Sequence, residues 1–304
     1  MNAAVAFVFI LLMLLVGHVL RGRGLVPAVA PDALNTVVLY VCLPASIALY
    51  APKLALKPEL AGLVAIPWLL AAFSIALVLM VARWRGFVRG DTAVLLLELP
   101  LGNTSFLGFV LVPVLAGEAA LPYAVVYDQF GSFLLLSTFG LSVIAMYTDG
   151  ARPTPATIAR RVLTFPPFIV LVLALIFVPA APPAAVDAPL RQLAGALLPL
   201  AALAIGMQLK LALPRQQIAP LVFGLFAKLI LLPATALGLC WLFGLDGPMR
   251  AAAVLEAAMP PMITAAALLT LAGLGPELAA ALVGYGIVGS IVTLPAWGWL
   301  LTRL

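Results

Sequence analysis

Residues 251–273 read AAAVLEAAMPPMITAAALLTLAG. The stretch is long and apolar enough to cross a bilayer, which takes about 20 residues of helix. It nevertheless carries a carboxylate, Glu256, and two consecutive prolines, Pro260 and Pro261, near its centre. A proline removes an amide donor and clashes with the preceding turn. Two in succession predict a locally unwound backbone. In lipid, the carbonyls freed by such a break are costly unless they face protein or water.

Working outward, the whole chain is as apolar as this stretch. Hydrophobic residues make up 65% of it and charged residues 9%, with a mean hydropathy of +1.23. Soluble domains hold roughly 45–50% apolar and about 25% charged residues. The composition therefore predicts an all-α polytopic membrane protein. The alternating ten-residue strands of a membrane barrel are absent. The net charge of +5 is spread over loops, so it informs topology and points to no nucleic-acid partner. Ten spans are expected, at about 3–20, 32–51, 60–82, 92–116, 121–147, 161–180, 189–209, 217–244, 249–273 and 277–301. Residues 1–20 are apolar and are followed by Arg21 and Arg23, the charge order of an uncleaved first helix rather than of a signal peptide. Cys42 and Cys240 lie inside apolar segments and suggest neither a disulfide nor a metal site.

The basic residues orient the spans. Loops 1–2, 3–4, 5–6, 7–8 and 9–10 together hold ten Lys/Arg, among them Arg83, Arg85, Arg89, Arg152, Arg160 and Arg161. The opposite side holds five, Lys53, Lys57, Arg191, Arg250 and Arg303. The positive-inside bias places the first set in the cytoplasm and both termini on the extracytoplasmic side. The two halves also resemble each other. At an offset of 158 residues Glu98 meets Glu256, Asn103 meets Pro261, and YDQFGS (127–132) meets YGIVGS (285–290). A first five-helix repeat over 1–147, a cytoplasmic linker over 148–160 and a second repeat over 161–304 follow. Five helices per half requires the repeats to be inverted, as in many secondary transporters.

Spans 4 and 9 occupy matching places and both are interrupted. Span 4 carries Pro100, Gly102, Asn103, Thr104 and Ser105 at its centre; span 9 carries Met259, Pro260, Pro261 and Met262. Paired Pro/Gly-interrupted spans point to a substrate site. The half-helix N-termini after each break offer free N–H groups to an anion. A pair of simple proline kinks is the plainer reading, and the matched positions weigh against it. Five ionisable groups fall within spans: His18, Glu98, Asp128, Lys228 and Glu256. Each needs a partner or a wet cavity. Glu256, one turn before its break, is a candidate for a coupling cation or proton, with Glu98 as its repeat mate. Asp128, near Ser132, is expected to pair with Lys228 or to carry a proton. His18 reads as interfacial.

At these residues the sequence resembles the auxin efflux carrier family, whose bacterial members include malonate and malate permease-like proteins. The match is carried by LNTVVLYVCLPASIALY (34–50), LLELPLGNTSFLGFVLVPVLAGEAALPYAVVYDQFGSFLLLSTFG (96–140) and LLPLAALAIGMQLKL (197–211). The resemblance implies the inverted-repeat fold shared with sodium–bile acid symporters. Helices 1, 2, 6 and 7 would form a scaffold that also makes a homodimer, and helices 3–5 and 8–10 a transport domain moving as an elevator. It implies a small organic anion as substrate, held by Asn103, Thr104, Ser105, Pro260, Pro261 and Met262. The polar and ionisable residues within the spans make Glu256, Asp128, Glu98, Ser132 and Tyr127 the candidates for ion or proton coupling. EAAM (256–259) is similar to a sodium-binding stretch of the bile acid symporters, which makes Glu256 and Met259 a candidate sodium site. Those relatives have polar residues after the Met, where this chain has Pro260–Pro261, so proton coupling and uniport stay open. No other cofactor is expected.

Two rival classes differ in what they require. An intramembrane metalloprotease needs paired histidines, and the chain has one His. A serine protease would need Ser132 and Lys228 together, and nothing in the sequence joins them. A channel or sensor on the same fold would pass ohmic current, whereas a carrier saturates. The expectation is a carrier and not an enzyme, in the inner membrane of a bacterium.

Overall fold

Prolines and glycines decide where the helices begin, stop and break. The computed structural model describes residues 3–54, 58–148, 154–179, 182–209 and 215–304. Lys57, Arg152 and Lys210 of the charge count, and residues 149–153 of the linker at 148–160, lie outside them. In chain order the helices are α1 (Ala3–Gly22), α2 (Ala30–Lys53), α3 (Leu60–Arg85), α4 (Arg89–Glu98), α5 (Thr104–Ala116), α6 (Glu118–Tyr147), α7 (Pro155–Leu163), α8 (Pro166–Phe177), α9 (Ala184–Gln208), α10 (Ile218–Leu242), α11 (Gly247–Ala257), α12 (Ile263–Leu271) and α13 (Pro276–Leu301). Among the described residues there is no β-strand. Six helices, α2, α3, α6, α9, α10 and α13, are each long and apolar enough to cross a membrane.

The expected span at 161–180 needs correction. Arg160 and Arg161 belong to the short helix α7, and α8 starts at Pro166. Proline disfavours helical backbone in the residue before it, which ends α7, and it fits the first turn of a new helix. Spans 92–116 and 249–273 are each two helices. The segments between α4 and α5 and between α11 and α12 are unwound.

The helices sort their side chains toward protein or lipid. On α1, Val8, Leu12, Leu15 and Val19 are exposed, whereas Ile10, Leu14 and Gly17 are buried. Spacings of three and four residues put each set on one face. The buried face packs on α9, where the backbones touch. A Cβ on Gly17 would stand 3.0 Å from the Met207 nitrogen, and one on Gly206 only 2.8 Å from the Leu14 carbonyl carbon. Small residues that let backbones approach are the usual device of helix packing in lipid. Aromatic–arginine pairs mark helix ends: Arg85 lies over Trp84 at 5.6 Å and Arg303 over Trp299 at 5.2 Å. Such rings and cations settle at the membrane–water boundary.

Candidate functional site

The two unwound segments meet. Gly102 and Pro261 form an antiparallel bridge. The Asn103 amide donates to the Pro260 carbonyl at 2.8 Å, and the Met262 amide donates to the Leu101 carbonyl at 3.1 Å. Neither proline has an N–H to give, so the donors are Asn103 on one segment and Met262 on the other. Each break thereby satisfies backbone groups of the other, which is what an apolar surrounding demands. Gly102 sits tightly here. A Cβ on it would stand 3.2 Å from the Lys228 ammonium, 3.3 Å from the Glu256 backbone oxygen and 3.3 Å from Met259 Cβ. Asn103, at φ −77° and ψ 60°, makes the inverse γ-bend that turns the chain into α5.

Two helices end at this crossover, α4 and α11, and two begin, α5 and α12. The first amides of a helix have no partner within it. Around the beginnings lies a cavity of about 300 Å³, lined by Asn103, Thr104, Ser105 and Phe106 of the first break, Met262, Ile263 and Thr264 of the second, and Asp128, Phe133 and Leu136 of α6. Its far wall is Asn35, Thr36 and Leu39 of α2, with Phe165. Asn103 is 2% exposed, and its side-chain nitrogen has no hydrogen-bond partner.

Asp128 is the best-held carboxylate of the site. Thr104 Oγ1 donates to its Oδ1 at 2.5 Å and Ser105 Oγ at 2.7 Å, while Gln129 Nε2 donates to its Oδ2 at 2.7 Å. It therefore ties α6 to the first turn of α5. Asp128 and Ser132 share a π-helical turn, as do Thr104 and Ser105, and Lys228 lies on a third. Such turns recur at functional sites because the extra residue redirects the side chains around it.

Lys228 does not pair with Asp128 as the sequence suggested. Its ammonium stands instead beside Gly102, 3.2 Å from where a Cβ there would lie. Glu98 and Glu256 are buried, and none of their four carboxylate oxygens has a hydrogen-bond partner. The Glu256 carboxylate packs against Gly108 of α5, where a Cβ would overlap it. Tyr127 is also buried. Ser132 is buried in α6, Met259 is buried at the crossover, and His18 is exposed on α1.

The structure thus gathers Asn103, Thr104, Ser105, Met262 and Asp128 at the cavity, sets Lys228 and Glu256 against Gly102, and buries Glu98 at the end of α4. Gly108 and the far wall at Asn35, Thr36 and Phe165 were not singled out in the sequence. Gly108 ends the TSFLG turn, and its closeness to a break was the one available sign. A second cavity of about 350 Å³ lies further along the same two helices, between Ser46 and Tyr50 of α2, Phe109, Val110 and Pro113 of α5, and Arg191 of α9.

Apolar helices, two of them broken and clasped around a buried polar cavity, define a membrane transport protein rather than an enzyme. The comparisons agree. The model of the Membrane transport protein family matches residues 3–298, and the chain belongs to that family, which includes the auxin efflux carriers. It is 28% identical to an uncharacterized transporter of Methanothermobacter thermautotrophicus over 293 residues, covering 95% of each chain. It is 26% identical to an uncharacterized transporter of Methanocaldococcus jannaschii over 306 residues, covering 96% of each.

Proposed function

We propose that this protein is a secondary-active carrier of a small organic anion, a mono- or dicarboxylate. The observation that carries the reading is Asn103. A buried amide donor without a partner lines a cavity formed by the N-terminal ends of two half-helices. Helix N-termini favour negative charge, and an unpartnered buried donor is restored by an acceptor on a ligand. The cavity volume suits a small carboxylate better than a large amphipathic anion. Asp128 shares the cavity, and a second anion beside it is repelled unless one of the two takes a proton. In this reading Asp128 carries the coupling proton.

The carrier works as an elevator in ten helices built from two inverted repeats, with a scaffold that dimerises. The two cavities support alternating access. Asn35 and Ser46, one in each lining, are eleven residues apart on α2, about 16 Å along a helix. The protein resides in the inner membrane of a bacterium with both termini on the extracytoplasmic side.

Counterflow of labelled malonate or malate in proteoliposomes tests the reading. Saturable exchange is expected, lost in Asn103→Ala and Pro261→Ala while both stay folded. Wild-type exchange by both variants sinks the site, and ohmic current sinks the carrier. Asp128→Asn should still exchange substrate but should lose uptake driven by a proton gradient.

A further inference from the structure

Away from the crossover, the second cavity has a wall of unused donors. Its volume is about 350 Å³, within the range that holds a small ligand. The side built from α5 and α6 is mostly apolar, with Phe109, Val110, Pro113 and Leu121. The side built from α2 and α9 carries Ser46, Tyr50 and Arg191. Ser46 and Tyr50 stand four residues apart, so they share one face of α2.

A hydroxyl within a helix can donate to the carbonyl one turn back. Ser74, Thr138 and Ser142 do so here, at 2.6, 2.6 and 2.7 Å. Ser46 does not. It is 4% exposed, and neither its hydroxyl nor that of Tyr50 has a hydrogen-bond partner among the described residues. A buried polar group left in this way calls for an explanation.

Arg191 is held from one edge only. Its Nε donates to Asp187 Oδ2 at 2.5 Å, and its Nη2 donates to Oδ1 at 3.2 Å. A guanidinium has five N–H donors in a fixed fork. Asp187 thus fixes the group and leaves the three donors of its outer edge to another acceptor. Parallel N–H donors of this kind match a carboxylate. Glu118 is the other charged residue of the lining. It is exposed, no ion pair joins it to Arg191 among the described residues, and Lys53 lines an adjoining cavity with it. The charges around this rim cancel, so selection falls to the directed donors.

We propose that Ser46, Tyr50 and Arg191 form a second carboxylate subsite, fixed on α2 and α9, with Asp187 as its positioning residue. In the carrier reading it is where the anion is taken up or given off at one face of the membrane. That role rests on the reading. The binding does not, and it is measured without transport.

Gly195 lines the same cavity one turn after Arg191, and a Cβ on it meets nothing within 4 Å. Gly195→Cys therefore places a reporter thiol there, and Cys42 and Cys240 are both buried. The test is the rate at which the purified full-length Gly195→Cys protein reacts with uncharged methyl methanethiosulfonate. It is measured in sodium malonate against sodium chloride at equal ionic strength. Malonate should slow the reaction saturably, by about threefold or more, as a bound ligand does. Arg191→Gln added to the reporter should abolish that protection and leave the rate in chloride as it was. Asn103→Ala should keep it, because the crossover cavity is not the one being read. A rate indifferent to malonate overturns the proposal, as does protection that survives Arg191→Gln or vanishes in Asn103→Ala. Protection alongside failed counterflow upholds the subsite and sinks the carrier; counterflow without protection sinks the subsite alone.

Discussion

The protein contains two places where backbones come into close contact, and they are built on opposite principles. Along the seam of α1 and α9, Gly17 and Gly206 let two apolar helices touch backbone to backbone. At the crossover, Gly102 and Pro261 bring two broken helices together around carboxylates, an ammonium and an amide, several of them left without hydrogen bonds. The seam is saturated, and any added atom is in the way. The crossover is unsaturated, and some of its groups wait for a ligand. Damage at the seam should therefore cost stability and spare transport, and damage at the crossover the reverse.

The strongest way to break this contrast is at the seam. Gly206→Val would force side-chain atoms against the Leu14 backbone. It should destabilise by about 3 kcal/mol and lower the midpoint by roughly 6–10 °C. The surviving protein should keep its substrate KM, read by counterflow. At the crossover, Asn103→Ala should cost about 2 kcal/mol of ligand interaction, a loss of uptake of roughly 30-fold. Its midpoint without substrate should stay within about 2 °C of the wild type, and a larger fall would mean that Asn103 is structural. Thr104→Val removes one of the three donors to Asp128. At about 1 kcal/mol it should reduce uptake around fivefold and displace its pH profile; an unmoved profile would detach Asp128 from coupling. Asp187→Ala breaks the Asp187–Arg191 pair one turn apart on α9, outside both places. An exposed pair of this kind contributes less than about 1 kcal/mol, so the midpoint should not change measurably; because Arg191 also lines the second cavity, a change in uptake without one in the midpoint would tie that cavity to transport.

What was legible in the sequence follows from the same contrast. Membrane residence shows in composition, because lipid asks the same thing of every exposed residue. The breaks at Gly102–Asn103 and Pro260–Pro261 show because proline and glycine act on their own backbone. Apolar content alone starts α8 too early, because Val162–Phe165 are apolar enough to join it, whereas Pro166 and Pro167 mark its first turn. The place of Lys228 was not legible. Asp128, Glu98 and Glu256 are equally plausible neighbours on charge, and only the packing of α10 against the crossover sets the ammonium beside Gly102. Gly108 was hidden for a related reason. A glycine required by a carboxylate from a distant helix looks like any other of the 24 glycines. Asn35 on α2 and Phe165, just before α8, are residue types that do not by themselves point to a cavity.

The clasp between the breaks is made of main-chain atoms. Asn103 and Met262 contribute amides, and Leu101 and Pro260 contribute carbonyls. Beyond the missing Cβ of Gly102 and the missing N–H groups of the prolines, it asks nothing of the side chains around it. The frame and the upholstery of the site are thus separable. Positions 103–105 and 262–264 can change the shape and polarity offered to a ligand while the two unwound segments stay joined. One architecture can in this way be refitted to different cargoes without being rebuilt.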